Sequence, residues 1–579
     1  MPRSTKDWIK MIRGFLEGIL LLFLAFIIIR ALYIHKDYMS YENLTNQEET
    51  QREKGFIALS YFGVAYGNES GHSLISRSRL KEHLKAITDS GYVTITQQDI
   101  INYYKNGKAL PDKALFLMFA DGRNDTVIFA GQILKEYNLK ATILTYAQNV
   151  IGKDNKFLHK KDLKTLTKNG FWEFGTGGYR LTYINVFDKW GNFLDVLTSP
   201  EFNNKADIIE ADYNHYLMDY IRDKNRIPIE NMSQLTSRIN YDYNEMVNIY
   251  KHTMNKVPLL YSLMHANTGQ FGTNDKASLI NENNIKEIFQ MNFNRDGSSV
   301  NTNKTDLYDL TRLSPKSDWY TNHLLMRIWQ DTGNKLAFQY GEKENLNNWD
   351  IISGQPEFQR DTIILTSPPE KPGILFLKNK ELKNQELSVE LQGNLAGEQT
   401  VLFRAKRDLS SYISVSLLNN VLLVTEKKSG KENILFSQDL SIELSESNDG
   451  STYNDSDDNK IDKLTLLESK KGNSLLKISL KEDKLTLELN GAIVAKNLNI
   501  TLIEKGTIGI KSMASAEAFD YGIVEDTIYD GVFKNLVVTS FDSGEKNTIM
   551  DMNLKGLDKF VNSLKKAGAK ILQWFIETL

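Results

Sequence analysis

The sequence predicts a multidomain protein: a transmembrane helix, an α/β domain with parallel strands, an antiparallel β-sandwich and a C-terminal amphipathic helix. Three observations predict this order. Successive β-α units between residues 113 and 181 favour parallel strands with helices packed outside them. From about residue 345, short segments alternate apolar and polar residues between polar turns, as in sandwich strands. A continuous apolar run covers residues 14–34, and a helical apolar stripe lies within 551–579.

Composition sets limits on function. The chain has 579 residues, of which 41% are hydrophobic, enough to bury the cores of two to four domains. A formal net charge of -3 gives no electrostatic reason to expect nucleic acid as a partner. The absence of cysteine from the sequence excludes disulfides and thiolate metal sites.

The N-terminal segment is predicted to anchor the chain. Residues 1–13 are basic and precede the apolar run 14–34, which is long enough to cross a bilayer as a helix. Because positive charge is retained on the cytoplasmic side, the N-terminus is expected inside and the bulk of the chain outside the cell. A small-x-small cleavage site is not evident, so a single-pass anchor is favoured over a signal peptide. Residues 35–54 are polar and are interpreted as a stalk.

Two ionisable residues interrupt the apolar run, Glu17 near its inner end and Arg30 near its outer end. Both side chains can extend to the membrane interfaces. Alternatively, Glu17 pairs with a polar group on another transmembrane helix, which would make the anchor a docking element as well as a tether.

The order of elements in residues 55–342 resembles that of a known protein family. A strand at 57–62 is followed by Gly91-Tyr92, a buried strand at 114–119 ending in Ala120-Asp121-Gly122, and the segment 170–179. This order resembles the polysaccharide deacetylases of carbohydrate esterase family 4, which have the NodB-homology fold. The resemblance implies a distorted (β/α) barrel.

The motifs that carry the family's chemistry are altered. The family's first motif is Thr-Phe-Asp-Asp-Gly, in which the first Asp is the general base and the second binds a divalent metal. Here Ala120 replaces the base and Asp121 remains. The second motif, His-Ser/Thr-x-x-His, supplies two imidazole ligands, and the aligned positions hold Gly177 and Leu181.

These losses predict a pseudoenzyme. A general base contributes about 10²- to 10⁴-fold in rate. A catalytic zinc ion needs about three protein ligands, which one carboxylate does not supply. We therefore expect no catalytic residue, no bound metal and no cofactor. A divergent hydrolase that uses Asp121, Glu173 or His265 is the alternative; His265 is either a displaced ligand or an ordinary hydrogen-bonded residue.

A barrel retains its cleft after its catalytic residues are lost. Aromatic faces stack on sugar rings, which makes four aromatic residues near the altered motif, together with one histidine, candidates for binding glycan. They are Trp172, Tyr179, Tyr183, Trp190 and His265. The competing interpretation is that they are core or interface residues.

An insertion at 184–232 is rich in Asn, Asp and Tyr, and its pattern predicts a helix over 206–223. A long loop on the active face often carries function. The insertion is expected to cover the cleft, to contact a partner or to be a decorated surface loop.

Residues 345–542 are predicted to form the sandwich. Segments such as 387–391, 412–417 and 475–480 alternate in polarity. Their order resembles concanavalin-like and laminin-G-like jelly rolls, many of which bind carbohydrate. The resemblance implies a lectin-like domain.

The last predicted element is the amphipathic helix at 551–579. Apolar residues recur at three- and four-residue steps, with lysines largely on the other face. A helix in a membrane interface or in a partner's groove is favoured over one packed on the sandwich. The residues expected to make the contact are Phe560, Leu564, Ile571, Trp574 and Phe575.

Together these features favour a membrane-anchored, extracytoplasmic accessory subunit of an exopolysaccharide synthase or secretion complex. Its layout is like that of the accessory subunit of bacterial cellulose synthases, and a role in biofilm is expected. Its expected partners are a membrane glycosyltransferase, the nascent polysaccharide and the bilayer. The alternatives are a divergent active polysaccharide deacetylase and a cell-surface scaffold that binds glycan.

Overall fold

The computed structural model describes residues 14, 15, 17, 18, 21, 37–43, 55–65, 74–188, 190–205, 208–210, 213–262, 274–334, 336–440 and 457–556. Most of the predicted anchor, including Arg30, lies outside these residues, as do His265 and all five contact residues proposed for the C-terminal helix. Glu17 is described, and it is helical and exposed. None of the helices in the described ranges combines the length and apolar character needed to cross a bilayer.

The first domain begins after a 3-10 turn at Tyr41–Asn43 and alternates strands with helices. Its strands are β1 (Phe56–Tyr61), β2 (Val64–Ala65), β3 (Ile75–Ser76), β4 (Val93–Thr94), β5 (Ala114–Phe119), β6 (Ala141–Tyr146), β7 (Trp172–Gly178), β8 (Thr182–Phe187), β9 (Phe193–Thr198), β10 (Asn214–His215), β11 (Leu260–Ser262), β12 (Met291–Asp296), β13 (Val300–Asn301) and β14 (Leu310–Arg312). Its helices are α1 (Arg77–Asp89), α2 (Gln97–Asn106), α3 (Asn124–Tyr137), α4 (Ala147–Ile151), α5 (Lys160–Leu166), α6 (Ser199–Asn203), α7 (Met232–Met254), α8 (Asp275–Ile288) and α9 (Thr321–Thr332).

The main sheet of this domain closes on itself. Strands β1, β5, β6, β7, β11, β12 and β14 pair in that order, all parallel. A parallel bridge between Leu59 and Leu313 joins β14 back to β1. The parallel barrel that the sequence predicts is therefore present, and the carboxyl ends of its strands meet at one edge.

Strand β5 shows why these segments form a buried barrel. All six of its residues are buried, as expected of a strand covered on both faces. Leu115, Leu117 and Phe119 belong to the core cluster that includes helix residues such as Leu84 and Ile133. The alternate residues, Phe116 and Met118, belong to a second cluster with residues of neighbouring strands, and the Phe116 ring stacks on that of Phe293 at 5.5 Å.

The insertion folds differently from the prediction. Strands β8, β9 and β10 form an antiparallel sheet, and the described residues of 206–223 contain β10 and turns where a helix was predicted. Backbone carbonyls that a helix would use accept hydrogen bonds from side chains. Arg238 donates to the carbonyls of Tyr216 and Asp219, and Asn185 donates to that of Tyr220. The predicted helix is therefore wrong because side-chain donors from α7 and β8 take those carbonyls.

The second domain is a sandwich of two antiparallel sheets. Its strands are β15 (Trp349–Ser353), β16 (Gln355–Phe358), β17 (Thr362–Thr366), β18 (Gly373–Leu377), β19 (Gln385–Leu391), β20 (Gly397–Ala405), β21 (Tyr412–Leu418), β22 (Val421–Lys428), β23 (Lys431–Asp439), β24 (Ser474–Lys481), β25 (Lys484–Leu489), β26 (Ala492–Asn499), β27 (Thr507–Ala514), β28 (Asp530–Ser540) and β29 (Asn547–Asp551). Short helices α10 (Lys343–Leu346), α11 (Asp457–Glu468) and α12 (Ala516–Asp520) accompany them.

The two sheets run in the orders β15-β18-β27-β20-β21-β22-β23 and β16-β17-β28-β19-β24-β25-β26. In β19, buried and half-buried residues alternate along the whole strand, which is the period-2 pattern seen in the sequence. Strand β29 pairs with β28, so the sheet extends to Asp551, beyond residue 542 where the sequence pattern places its end.

The barrel and the sandwich meet at a junction that we define by His323 and Arg327 of α9 with Asp526 and Asp530 before and in β28. His323 Nδ1 lies 3.2 Å from an Asp530 oxygen, and its Nε2 lies 3.4 Å from an Asp526 oxygen. Asp530 also accepts hydrogen bonds from the Tyr320 amide and the Thr366 hydroxyl. All four of the defining side chains are buried.

Candidate functional site

The candidate site lies at the carboxyl edge of the barrel, where β5 ends. Ala120 donates its amide to the Tyr61 carbonyl of β1, which keeps the chain in the sheet up to this residue. The next two residues have left-handed backbones, with φ of 68° at Asp121 and 61° at Gly122. A Cβ at position 122 would lie 2.9 Å from Thr145 Cγ2, so this turn requires glycine. The tight turn places Asp121 at the mouth of the barrel.

Asp121 has an unusual electrostatic environment. Its carboxylate has no hydrogen-bond or ion-pair partner within the described ranges. Burial raises its pKa to about 6, against the lowering effect of the Arg123 and Lys156 charges. The neighbouring Arg123 is already engaged, because its guanidinium lies 2.6 Å from Asp125. Asp121 is therefore a carboxylate that is not neutralised by a specific partner.

Tyr146 occupies the space beside the altered second motif. A Cβ at Gly177 would lie 3.1 Å from the Tyr146 ring and 3.3 Å from its hydroxyl oxygen. A Cβ at Gly178 would lie 3.2 Å from the Tyr261 hydroxyl oxygen, and this residue has φ of 118°. Leu181 packs against the apolar cluster of the insertion. An imidazole at position 177 would therefore require the Tyr146 ring to move.

The Tyr146 phenol is buried beside Asp121. Its hydroxyl has no hydrogen-bond partner in the part of the chain that is described. Burial raises its pKa well above 10, and the nearby Asp121, Tyr183 and Tyr261 raise it further. The charge of Arg312 acts in the opposite direction. Strands β5 and β6 are neighbours, and a Cβ at Gly122 would lie 2.9 Å from Thr145 Cγ2, so Asp121 and Tyr146 lie at adjacent strand ends at the mouth of the barrel.

Arg312, at the end of β14, was not identified from the sequence. Its buried guanidinium donates to Ser262 Oγ at 2.5 Å and to the Phe293 carbonyl at 3.1 Å, and it pairs with Asp296 at 2.9 Å. These contacts tie together the ends of β11, β12 and β14. The sequence signal that could have identified Arg312 is a charged residue at the end of a short, mostly buried strand.

The four aromatic glycan-binding candidates, all within the described ranges, do not form one surface. Trp172 is only 3% exposed and its ring packs on Phe119 in the core, so it has no free face for a sugar. Tyr183 is buried and stacks on Phe202 at 4.0 Å. Tyr179 is half-buried, with the Arg180 guanidinium 5.3 Å from its ring. Trp190, on the β8–β9 turn, is 54% exposed.

Asp121 and Glu173, the two residues of the alternative hydrolase that are described, are also separated. Glu173 is the second residue of β7, at the opposite end of this strand from Gly177, and it accepts a hydrogen bond from the Gln97 amide. It therefore lies at the other edge of the barrel from Asp121. The described residues bring no three His, Cys, Asp or Glu side chains together as a metal-binding group.

The divalent metal of the resembling family does not fit these residues. Of its expected donors only Asp121 is present, and the Tyr146 ring fills the space at position 177. Three protein ligands are the usual requirement for a catalytic zinc ion. The donor set of the described residues is therefore not that of the family's metal centre.

Comparison with known proteins supports the resemblance. No protein-family model matches the chain. It is 26% identical over 155 residues to a Staphylococcus aureus poly-β-1,6-N-acetyl-D-glucosamine N-deacetylase, a match that covers 24% of this chain and 53% of that protein. The chain spans about half the length of the curated relatives it matches.

Solved structures with similar folds include a de-N-acetylase from Aggregatibacter actinomycetemcomitans, with a TM-score of 0.35 and 18% identity, covering 46% of this chain and 98% of that one. Another is the Streptococcus pyogenes deacetylase PplD, with a TM-score of 0.32 and 14% identity, covering 48% and 99%. The sequence similarity, together with the closed parallel barrel described above, confirms that the first domain resembles the polysaccharide deacetylases.

Proposed function

We propose that this chain binds a polysaccharide without hydrolysing it, through a barrel that resembles a deacetylase but lacks its catalytic groups. The observation that carries the proposal is the Tyr146 ring beside Gly177, which fills the space where the family has an imidazole ligand. In addition, Ala120 stands where the family has its general base, so the base is also lost. Without a metal to activate water and a base to accept its proton, hydrolysis by the family's mechanism lacks both of its main catalytic contributions.

The polysaccharide is proposed to be an amino-sugar polymer. The support is the S. aureus relative, a poly-β-1,6-N-acetyl-D-glucosamine N-deacetylase. The half-exposed Trp190 on the insertion and the second domain, a sandwich of the type that often binds carbohydrate, offer further surface to a long chain.

The test is a paired measurement on the purified full-length protein. Metal content is determined after incubation with zinc, and acetate release is followed with poly-β-1,6-N-acetylglucosamine, with an active deacetylase as the positive control. We expect polymer binding without stoichiometric zinc and without acetate. Stoichiometric zinc together with acetate release would overturn the proposal.

One observation favours the divergent hydrolase as a second candidate. The pKa of Asp121, raised to about 6 by burial, is in the range that suits a general base. Acetate or sugar release that is lost in Asp121→Asn but unaffected by a chelator would support this candidate. Loss of release with the chelator would indicate metal chemistry instead.

We further propose that the protein acts as a membrane-anchored accessory subunit of an exopolysaccharide synthase, with a membrane glycosyltransferase as its partner. The support is the apolar run at 14–34, its preceding positive charges and the amphipathic pattern at 551–579. Purification from native membranes in mild detergent tests this. A glycosyltransferase should co-purify and be lost when residues 557–579 are deleted. Recovery of the protein alone, with glycan bound, would favour the cell-surface scaffold.

A further inference from the structure

Two hydrogen-bond acceptors at the mouth of the barrel have no donor among the described residues. Asp121 has no hydrogen-bond or ion-pair partner among the described residues, and the neighbouring Arg123 guanidinium is engaged with Asp125 at 2.6 Å. The Tyr146 hydroxyl, on a side chain only 3% exposed, is also without a partner among the described residues. Both groups lie at the edge where the deacetylase family places its reaction centre.

Unpaired buried polar groups reduce stability, and a ligand that supplies the missing partner recovers that loss. An ionised carboxylate only accepts hydrogen bonds, and a phenol oxygen can accept one as well. Hydrogen bonds that involve a charged group are roughly twice as strong as neutral ones. A cationic group with several N–H donors therefore matches this pair of acceptors better than a neutral amide with one N–H.

The rings around the site favour the same ligand. The Tyr146 ring and the Tyr261 hydroxyl both border the altered second motif, beside Gly177 and Gly178. Aromatic faces attract an ammonium group through the ring quadrupole. The positive charges of Arg123 and Lys156 disfavour a bound cation, but Asp125 compensates the charge of Arg123.

We propose that the cleft binds the protonated amino group of a de-N-acetylated hexosamine unit, with the Asp121 carboxylate and the Tyr146 hydroxyl oxygen accepting its N–H groups. This inference rests on the proposed function, namely glycan binding without hydrolysis. The barrel would then recognise the product of an N-deacetylation reaction and not its substrate. A separate N-deacetylase must therefore act on the polymer before this protein binds it.

The experiment compares two probes on the full-length protein in detergent: a β-1,6-linked glucosamine hexamer and its fully N-acetylated counterpart, measured by isothermal titration calorimetry. We expect the free-amine hexamer to bind at least about tenfold more tightly. Asp121→Asn should abolish this preference, and Tyr146→Phe should reduce it about threefold. Asp89→Asn, which removes the same charge from an exposed pair on α1, is the matched control and should leave the preference intact.

Folding of the variants is checked by thermal unfolding; asparagine tolerates the left-handed backbone at position 121, so Asp121→Asn is expected to fold. Equal affinities, or tighter binding of the N-acetylated hexamer, would overturn this inference and leave glycan binding intact. A preference that survives in Asp121→Asn would overturn the assignment of the carboxylate. Failure of both hexamers to bind would overturn this inference and the proposed function together.

Discussion

Buried polar side chains have partners at the junction between barrel and sandwich but lack them at the mouth of the barrel. At the junction, His323 contacts two carboxylates, and Asp530 accepts three hydrogen bonds, from His323, the Tyr320 amide and the Thr366 hydroxyl. At the mouth, the Asp121 carboxylate and the Tyr146 hydroxyl have no partner among the described residues.

The pKa values follow this difference. Burial opposes protonation of His323, but the charges of Asp530 and Asp526 outweigh it and raise the His323 pKa to about 10. Burial also acts to raise the Asp530 pKa, and the His323 charge outweighs it and lowers that pKa. At Asp121 no partner reverses the effect of burial, and its pKa rises. Paired groups thus fix the two domains together, whereas unpaired groups remain available to a ligand.

The largest effect is expected when one junction carboxylate is removed. Asp530→Asn leaves His323 with a single carboxylate and weakens three hydrogen bonds, so it should lower the free energy of unfolding by about 3 kcal/mol. Denaturant unfolding followed by tryptophan fluorescence measures this. Asp483→Asn, in an exposed pair with Lys484, is the control and should cost under about 1 kcal/mol. Equal effects of the two variants would show that the junction pair does not stabilise the protein.

The second prediction concerns pH. Because the folded-state pKa of His323 is raised above its unfolded value, its stabilisation is complete below about pH 6.5 and is lost as pH rises toward 10. The free energy of unfolding should therefore fall by about 2 kcal/mol between pH 7 and pH 9. In His323→Gln this decline should be absent, although the variant is less stable at pH 7. An unchanged slope in the variant would assign the decline to other groups.

Features that depend on local sequence patterns were predictable. Apolar runs such as Ala114–Phe119 and alternating ones such as Gln385–Leu391 specify buried and half-buried strands, so both domains were predicted. The replacements Ala120, Gly177 and Leu181 were visible because the motif spacing is local. The helix predicted over 206–223 is absent because distant donors, Asn185 and Arg238, bind its carbonyls.

Partners that depend on tertiary contacts were not predictable. Nothing in the local sequence shows that Tyr146 would fill the space beside Gly177, because the two residues lie on different strands. The same holds for Arg312, which joins three strand ends, and for His323, whose carboxylates are about 200 residues away in the sequence. For Trp172, the sequence left glycan binding and core packing as alternatives, and only the fold shows that its ring is buried.

A smaller effect is expected from two tyrosine hydroxyls near the mouth. The Tyr250 hydroxyl lies 2.7 Å from Thr145 Oγ1 and donates to the Thr145 carbonyl at 3.1 Å. Tyr250→Phe should therefore lower the free energy of unfolding by about 1 to 2 kcal/mol. Tyr146→Phe removes a buried hydroxyl without a described partner, so it should not lower the free energy of unfolding and should raise it by up to about 1 kcal/mol. A cost at Tyr146 equal to that at Tyr250 would show that the Tyr146 hydroxyl has a partner in the folded protein.

The last effect is a gain of stability, and it is expected at Asp121. Since burial raises its folded-state pKa to about 6, ionisation of this carboxylate reduces stability as pH rises from about 4 to 6. Asp121→Asn should therefore raise the free energy of unfolding by about 1 kcal/mol at pH 8, a value kept small because the side chain is partly solvated. The gain should disappear below about pH 4, where the wild-type carboxyl is neutral in both states. Denaturant unfolding at pH 4 and pH 8 measures both values, and Asp530→Asn, which must destabilise at pH 8, is the matched comparison.

A loss of stability in Asp121→Asn at pH 8 would mean that this carboxylate has a structural partner, and the mouth would then be built like the junction.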